Sequence, residues 1–111
     1  MRKLALSLTA AVVLALAIPA TAATPIVLVK DDFFKPERVV IKKGGQVTWR
    51  WRGNNPHNVA IKKPGTNRVV KRSATKKSGS YTTRFRSTGR WRVLCEIHPV
   101  NMTMRVIVRN P

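Results

Sequence analysis

Apolar and polar residues alternate along most of this chain, and a period of two is typical of β-strands that bury one face. The clearest case is residues 46–52, in which Val47, Trp49 and Trp51 fall on the same side. Alternation or short apolar runs predict seven further strands, at residues 26–29, 38–42, 57–61, 68–70, 81–86, 91–95 and 104–108. No helical period accompanies them, so the pattern predicts an all-β chain folded as an antiparallel β-sandwich.

The N-terminal segment breaks this pattern and predicts a secretory signal peptide. Arg2 and Lys3 precede a mostly apolar stretch at residues 4–18, and Ala20-Thr21-Ala22 has the small-x-small form of a cleavage site. We therefore expect residues 1–22 to be removed and residues 23–111 to form one domain in the periplasm, outside the cell or at its surface. An uncleaved membrane anchor is the alternative.

The charge of the chain is strongly positive, with 22 Lys and Arg against 4 Asp and Glu. Without Arg2 and Lys3 the remainder carries 20 against 4, a net charge of +16. Such a surface attracts acidic redox proteins, anionic lipids, cell-wall polyanions or nucleic acid. The basic residues often alternate with apolar ones, as in Arg84-Phe85-Arg86, which favours a solvated sheet face over a nucleic-acid groove.

Candidate metal chemistry is concentrated in two short segments. Cys95 and His98 are separated by two residues, and Met102 follows before the last predicted strand; His57 begins another strand after a proline-marked turn. One thiolate, two imidazoles and a thioether are the donors of a type 1 copper site, because soft sulfur holds Cu(I) while imidazole also suits Cu(II). Taken singly, each residue is explained as well by packing or exposure, so the prediction depends on their conjunction.

An ordered series of motifs resembles the cupredoxins, and most closely their small plastocyanin and amicyanin type. In the first half the matching motifs are Phe34-Lys35-Pro36, Val39-x-Ile41-Lys42-Lys43-Gly44, Val47-Thr48-Trp49 and Pro56-His57-Asn58-Val59. In the second half they are Thr88-Gly89 and Trp91-x-Val93-x-Cys95-x-Ile97-His98-Pro99. The resemblance covers nearly all of residues 23–111.

This resemblance implies a Greek-key, cupredoxin-like sandwich that binds one type 1 copper ion. His57, Cys95 and His98 would be the trigonal ligands and Met102 the axial ligand, while Asn58 would hydrogen-bond the two ligand segments together. Electrons would pass through the exposed edge of His98. The resemblance thus implies a monomeric electron carrier rather than an enzyme.

Some features leave alternatives open. Met104 is a second thioether near the ligand loop and an alternative axial donor. Glu96 places a carboxylate beside Cys95, which predicts a lowered reduction potential. The chain has none of the family's acidic docking patches, so the redox partners are expected to be acidic. The alternative functions are copper storage or delivery, and adhesion of a cationic module to polyanions at the cell surface.

Overall fold

The computed structural model describes residues 24–111, which form nine β-strands and no helix. The strands are β1 (Ile26–Lys30), β2 (Phe33–Lys35), β3 (Arg38–Lys42), β4 (Gln46–Trp51), β5 (Ala60–Lys62), β6 (Val69–Arg72), β7 (Ser80–Arg84), β8 (Gly89–Leu94) and β9 (Thr103–Arg109). Within this range no helix has the length and apolar character needed to span a bilayer. The predicted signal peptide at residues 1–22 lies outside the described residues.

The strands form two sheets that pack as a sandwich. One sheet has four strands in the order β2-β1-β4-β7, and the other has five in the order β3-β9-β8-β5-β6. The alternation of β4 behaves as the sequence predicts, because Val47, Trp49 and Trp51 are buried while the residues between them are partly exposed. The same alternation in β3 and β9 supplies the facing side of the core.

The predicted β-sandwich is confirmed, but its sheets are mixed rather than wholly antiparallel. β1 runs parallel to β4, and β3 runs parallel to β9, whereas the other strand pairs are antiparallel. Alternation specifies which face of a strand is buried but carries no information on the direction of its neighbour. The parallel pairs join strands that are distant in sequence, as in Arg38 opposite Arg105.

Two local differences from the predicted elements bear on the metal site. Residues 33–35 form a short strand, β2, that pairs with β1 across the turn at Asp31-Asp32. Asp32 has a positive φ of 69°, a conformation that aspartate tolerates better than most residues. The strand predicted at residues 57–61 begins only at Ala60, because His57 makes an isolated bridge to Lys76 instead.

Candidate metal centre

The loop between β8 and β9 carries Cys95, His98 and Met102 and is closed by its own backbone. The Cys95 amide donates to the Met102 carbonyl at 3.1 Å, and the His98 amide donates to the Cys95 carbonyl at 3.1 Å. The Met102 amide donates in turn to the His98 carbonyl at 3.0 Å. Since β8 and β9 are antiparallel neighbours, these bonds make a compact turn whose ends are fixed by the sheet.

His57 comes from the connection between β4 and β5 and is completely buried. Its backbone exchanges two hydrogen bonds with Lys76, each 3.0 Å long, and its carbonyl accepts a bond of 2.9 Å from the Trp51 indole. The Nδ1 atom lies 3.9 Å from the Cys95 sulfur, which is also buried. The structure therefore brings one imidazole nitrogen close to the thiol from a segment outside the loop between β8 and β9.

Asp31 holds the other nitrogen of the same ring. One of its carboxylate oxygens lies 2.9 Å from His57 Nε2, and the carboxylate also accepts backbone hydrogen bonds from Asn54 and Asn55 at 2.9–3.0 Å. These bonds, with the Asn54 amide contributing most, lower the pKa of Asp31 to about 2. Because an ionised carboxylate only accepts hydrogen bonds, it favours the tautomer that carries the proton on Nε2 and leaves Nδ1 free as a donor atom for a metal.

Gly53 allows the turn after β4 to pack directly against Asp31. A Cβ atom at position 53 would lie 2.3 Å from an Asp31 carboxylate oxygen and 2.7 Å from its carboxyl carbon. No side chain fits there, so the turn after β4 can approach Asp31 only with glycine at this position.

Asn58 connects the two segments of the site. Its side-chain oxygen accepts from the Glu96 amide at 2.8 Å, and its side-chain NH₂ donates to the Glu96 carboxylate at 2.7 Å. The Asn58 backbone amide points to the Cys95 sulfur at 3.5 Å. The hydrogen-bonded link that the resemblance implied at Asn58 is therefore present in the geometry.

Glu96 is also paired with a cation. Arg72 of β6 donates two hydrogen bonds to the Glu96 carboxylate, at 2.7 and 2.8 Å. Arg72, followed by Asn58, lowers the pKa of Glu96 to about 2, and the same contact raises the pKa of Arg72. The negative charge beside Cys95 is thus balanced locally by a guanidinium.

His98 occupies the rim of the site. Its side chain is 36% exposed and its ring centroid lies 5.5 Å from that of His57. Its Nε2 atom lies 3.1 Å from an oxygen of Asp32, and the ligand atoms of Asp32, His57 and His98 lie within 4.8 Å of one another. Ile97 and Val100, which are one and two residues from His98 in the chain, are exposed apolar residues of the same loop.

Both methionines are buried. Met102 is fully buried at the end of the loop between β8 and β9, and Met104, two residues further along in β9, is 4% exposed. Burial therefore does not separate the two candidates for an axial thioether. Their positions do differ, since only Met102 is hydrogen-bonded through its backbone to both Cys95 and His98.

The donors fit a copper ion. A buried thiol and a buried imidazole lie 3.9 Å apart, a second imidazole lies at the rim, and the residue that ends the loop, Met102, is a buried thioether. This mixture of soft sulfur and borderline nitrogen suits copper, which alternates between Cu(I) and Cu(II). Asp32 adds a carboxylate that the sequence-based set did not contain.

Asp31, Asp32 and Arg72 are the contributors that the sequence analysis missed. The signal for the two aspartates was the rarity of acidic residues: two of only four in the chain are adjacent, at the turn before Phe33. Sequence distance concealed their role, because Asp31 reaches His57 from 26 residues away and Arg72 reaches Glu96 from 24.

Known proteins resemble this chain over most of its length. The family of copper-binding proteins that includes plastocyanin and azurin matches residues 29–109. Amicyanin-alpha of Methylorubrum extorquens is 34% identical over 86 residues, which cover 77% of this chain and 71% of that protein.

Solved structures have the same fold. A purple cupredoxin from Nitrosopumilus maritimus aligns with a TM-score of 0.66 at 20% identity, covering 76% of this chain and 98% of that one. A reduced Cu(I) form of an amicyanin variant aligns with a TM-score of 0.67 at 24% identity, covering 81% and 86%. The predicted resemblance to cupredoxins, with copper as the cofactor, is confirmed, and this chain belongs to the plastocyanin/azurin family of copper-binding proteins.

Proposed function

We propose that this protein carries single electrons between redox partners, using a type 1 copper site ligated by His57, Cys95, His98 and Met102. The observation that carries the proposal is the approach of His57 Nδ1 to the Cys95 sulfur, at 3.9 Å in a fully buried environment. A bound copper ion supplies a one-electron Cu(II)/Cu(I) couple. No bond in a substrate is made or broken, so the protein acts as a carrier and not as an enzyme.

The residues around the donors support this role because they hold them still. Asp31 fixes the His57 ring, Asn58 ties it to the Cys95 segment, and three backbone bonds close the loop around His98. Ligands that are fixed before metal binding need little rearrangement when the charge of the metal changes. The partly exposed edge of His98, on a loop that also carries the exposed apolar residues Ile97 and Val100, is the proposed route for electrons.

The strongly basic composition supports acidic redox partners, whose approach it would accelerate electrostatically. The pattern of residues 1–22 supports export, so the proposed site of action is the periplasm or the cell exterior. We propose a monomer that meets its partners transiently and that can also make peripheral contact with an anionic cell surface.

A visible spectrum of residues 23–111 after addition of one equivalent of Cu(II) tests the copper site. We expect an intense thiolate-to-copper absorption that bleaches on reduction and returns on oxidation. The Cys95→Ser variant should lack the band, because serine offers no thiolate. A wild-type protein without this band, or a band that survives in the variant, would contradict the assignment.

Matched methionine variants test the axial ligand. Met102→Leu should shift the charge-transfer bands and the copper electron paramagnetic resonance spectrum, because it removes the proposed thioether. Met104→Leu should leave both spectra unchanged and cost less than about 1.5 kcal/mol of stability, since Leu and Met have similar volumes. The reverse result would assign the axial role to Met104.

Copper storage predicts different kinetics. An electron carrier exchanges electrons with its own oxidised form much faster than it gives up the metal. We therefore expect rapid electron self-exchange by NMR line broadening, and slow transfer of copper to a metal-free acceptor. Fast metal transfer combined with slow self-exchange would favour storage or delivery.

A further inference from the structure

Four basic side chains line up across the outer face of the five-stranded sheet. Arg38 of β3 lies opposite Arg105 of β9, Arg105 lies opposite Arg92 of β8, and Arg92 lies opposite Lys62 of β5. We call these four residues the cationic row. Neighbouring strands are about 4.8 Å apart, so the row extends for about 14 Å. Three of its members are exposed and Lys62 is partly exposed.

The positive charges of the cationic row are not neutralised within residues 24–111. None of the four is in a salt bridge there, and Arg92 donates instead to the neutral oxygens of Thr66 and Asn67. Three of the four acidic residues of the chain are engaged around the metal centre. One of them, Glu96, also interacts electrostatically with Lys62, and Glu37 adjoins Arg38, so the two carboxylates near the row lie at its ends. Like charges directly opposite each other destabilise a sheet, so this arrangement lowers the stability of the fold. Such a loss of stability is typical of surfaces that are retained for function, here the binding of a partner.

The row lies close to the ligand loop. Arg92 and Arg105 are each two residues from the Leu94–Thr103 pair at which the loop begins, a distance of about 7 Å along the strands. A groove of about 570 Å³ contains the whole row together with Pro99 and Asn101 of the loop. A partner that covers the edge next to His98 would therefore lie over the cations as well.

We infer that this groove is the docking surface for an acidic protein partner, whose Asp and Glu side chains pair with the cationic row while its body covers the loop edge at Pro99. The inference rests on the proposed electron-transfer function, since it names the face through which the partner approaches. Arginine matches carboxylates in bidentate pairs, and three of the four residues are arginines. The row lines a concavity, whereas a flat lipid surface would meet protruding groups first.

The test measures binding of an oligo-L-glutamate peptide to residues 23–111 by ¹⁵N NMR at low ionic strength. The protein is used in metal-free and in Cu(I)-loaded form. The peptide should perturb amides of the cationic row and of the adjoining ligand loop. The Arg92→Gln/Arg105→Gln variant should bind about tenfold more weakly. The control variant Arg50→Gln/Arg86→Gln removes the same charge from outside the groove, and it should weaken binding by less than about threefold.

A stability measurement accompanies the binding test. Because the row repels itself, Arg92→Gln/Arg105→Gln should unfold at the same or a higher temperature than the wild type at low salt, so that lost binding is not the result of misfolding. Equal weakening by the two double variants would mean diffuse attraction and would overturn the inference. The same comparison is made with phosphatidylglycerol vesicles in place of the peptide. If the double variant loses binding to the vesicles but not to the peptide, the inference is overturned in favour of a lipid contact.

These outcomes are independent of the copper site. Failure of the mature chain to give a thiolate-to-copper band would contradict the proposed function, but peptide binding in the groove would still be measured on the metal-free form. Conversely, a normal copper spectrum with no peptide binding in the groove would retain the electron carrier and reject this face as its docking surface.

Discussion

The two halves of the metal site are fixed in different ways. His57 is fully buried and is held through its ring, its amide and its carbonyl by Asp31, Lys76 and Trp51. His98 is half-exposed, and its ring contacts only the exposed Asp32 among the charged side chains. An electron carrier needs both a constant donor geometry and access for its partner. In this site the buried half meets the first requirement, and the rim at His98 meets the second.

Asn58 is where the two halves meet, and removing its side chain should have the largest effect. Asn58→Ala leaves the Glu96 amide without its acceptor and releases the Cys95 segment from the His57 segment. We expect a loss of about 1–3 kcal/mol in the free energy of unfolding, measured with urea, and weaker copper binding. Asn101→Ala, which changes an exposed asparagine of the loop between β8 and β9, is the control and should do neither. Equal effects of the two changes would mean that the link is unimportant.

Adjacent aspartates give the most direct test of the contrast between the halves. Asp31→Ala should lower the thermal unfolding midpoint and disturb the His57 tautomer, because it leaves Asn54 and Asn55 amides and the ring nitrogen without an acceptor. Asp32→Asn should leave the unfolding midpoint nearly unchanged, since asparagine also tolerates the positive φ at this position, and Asp32 is exposed and pairs with the rim histidine. The tautomer is read from ¹⁵N shifts of the metal-free protein. A larger effect of Asp32→Asn than of Asp31→Ala on the unfolding midpoint would reverse the comparison.

Acid should weaken both halves, because each contains one carboxyl group with a lowered pKa. Asp31 falls from 3.8 and Glu96 from 4.5 to about 2 in each case. The unfolded chain takes up these protons at higher pH than the folded one, so the contribution to stability is complete above about pH 5 and is lost as the pH falls towards 2.

We therefore expect the thermal unfolding midpoint of the metal-free protein to fall between pH 5 and pH 3. The fall should be smaller in Asp31→Asn and in Glu96→Gln, and smallest in the double variant, where neither carboxyl group remains to be protonated. An unchanged slope in the double variant would show that other groups govern acid unfolding.

Changes of charge near Cys95 should have the smallest effect of these variants, and the property they change is the reduction potential. Glu96→Gln should raise the reduction potential, as expected for the loss of a negative charge that favours Cu(II), and Arg72→Gln should lower it by a similar amount. Both shifts should be modest, because Glu96 and Arg72 neutralise each other and are open to solvent. Potentials measured by protein-film voltammetry will test the pair, and no change in either variant would remove Glu96 from the determinants of the potential.

Local patterns predicted much of this molecule. β3 has the predicted bounds, and the faces of β4 were read correctly, because alternation over five or six residues reports burial directly. The grouping of Cys95, His98 and Met102 was visible because they lie on one short loop. Asp31 and Arg72 could not be assigned in this way, since their contacts depend on which strands become neighbours. The parallel direction of the β1–β4 and β3–β9 pairs could not be predicted either, because alternation is the same for either strand direction.

The parallel pairing of β3 with β9 also bears on the order in which the protein can be made. Arg38 meets Arg105 near the C-terminus, and such distant contacts slow folding. A chain that leaves a channel N-terminus first cannot complete the five-stranded sheet until β9 has emerged. Cys95 and His98 precede β9 in the chain, so the full donor set is assembled only as the last strand of this sheet becomes available. For the export proposed above, this topology means that the metal is bound only after the chain has crossed the membrane.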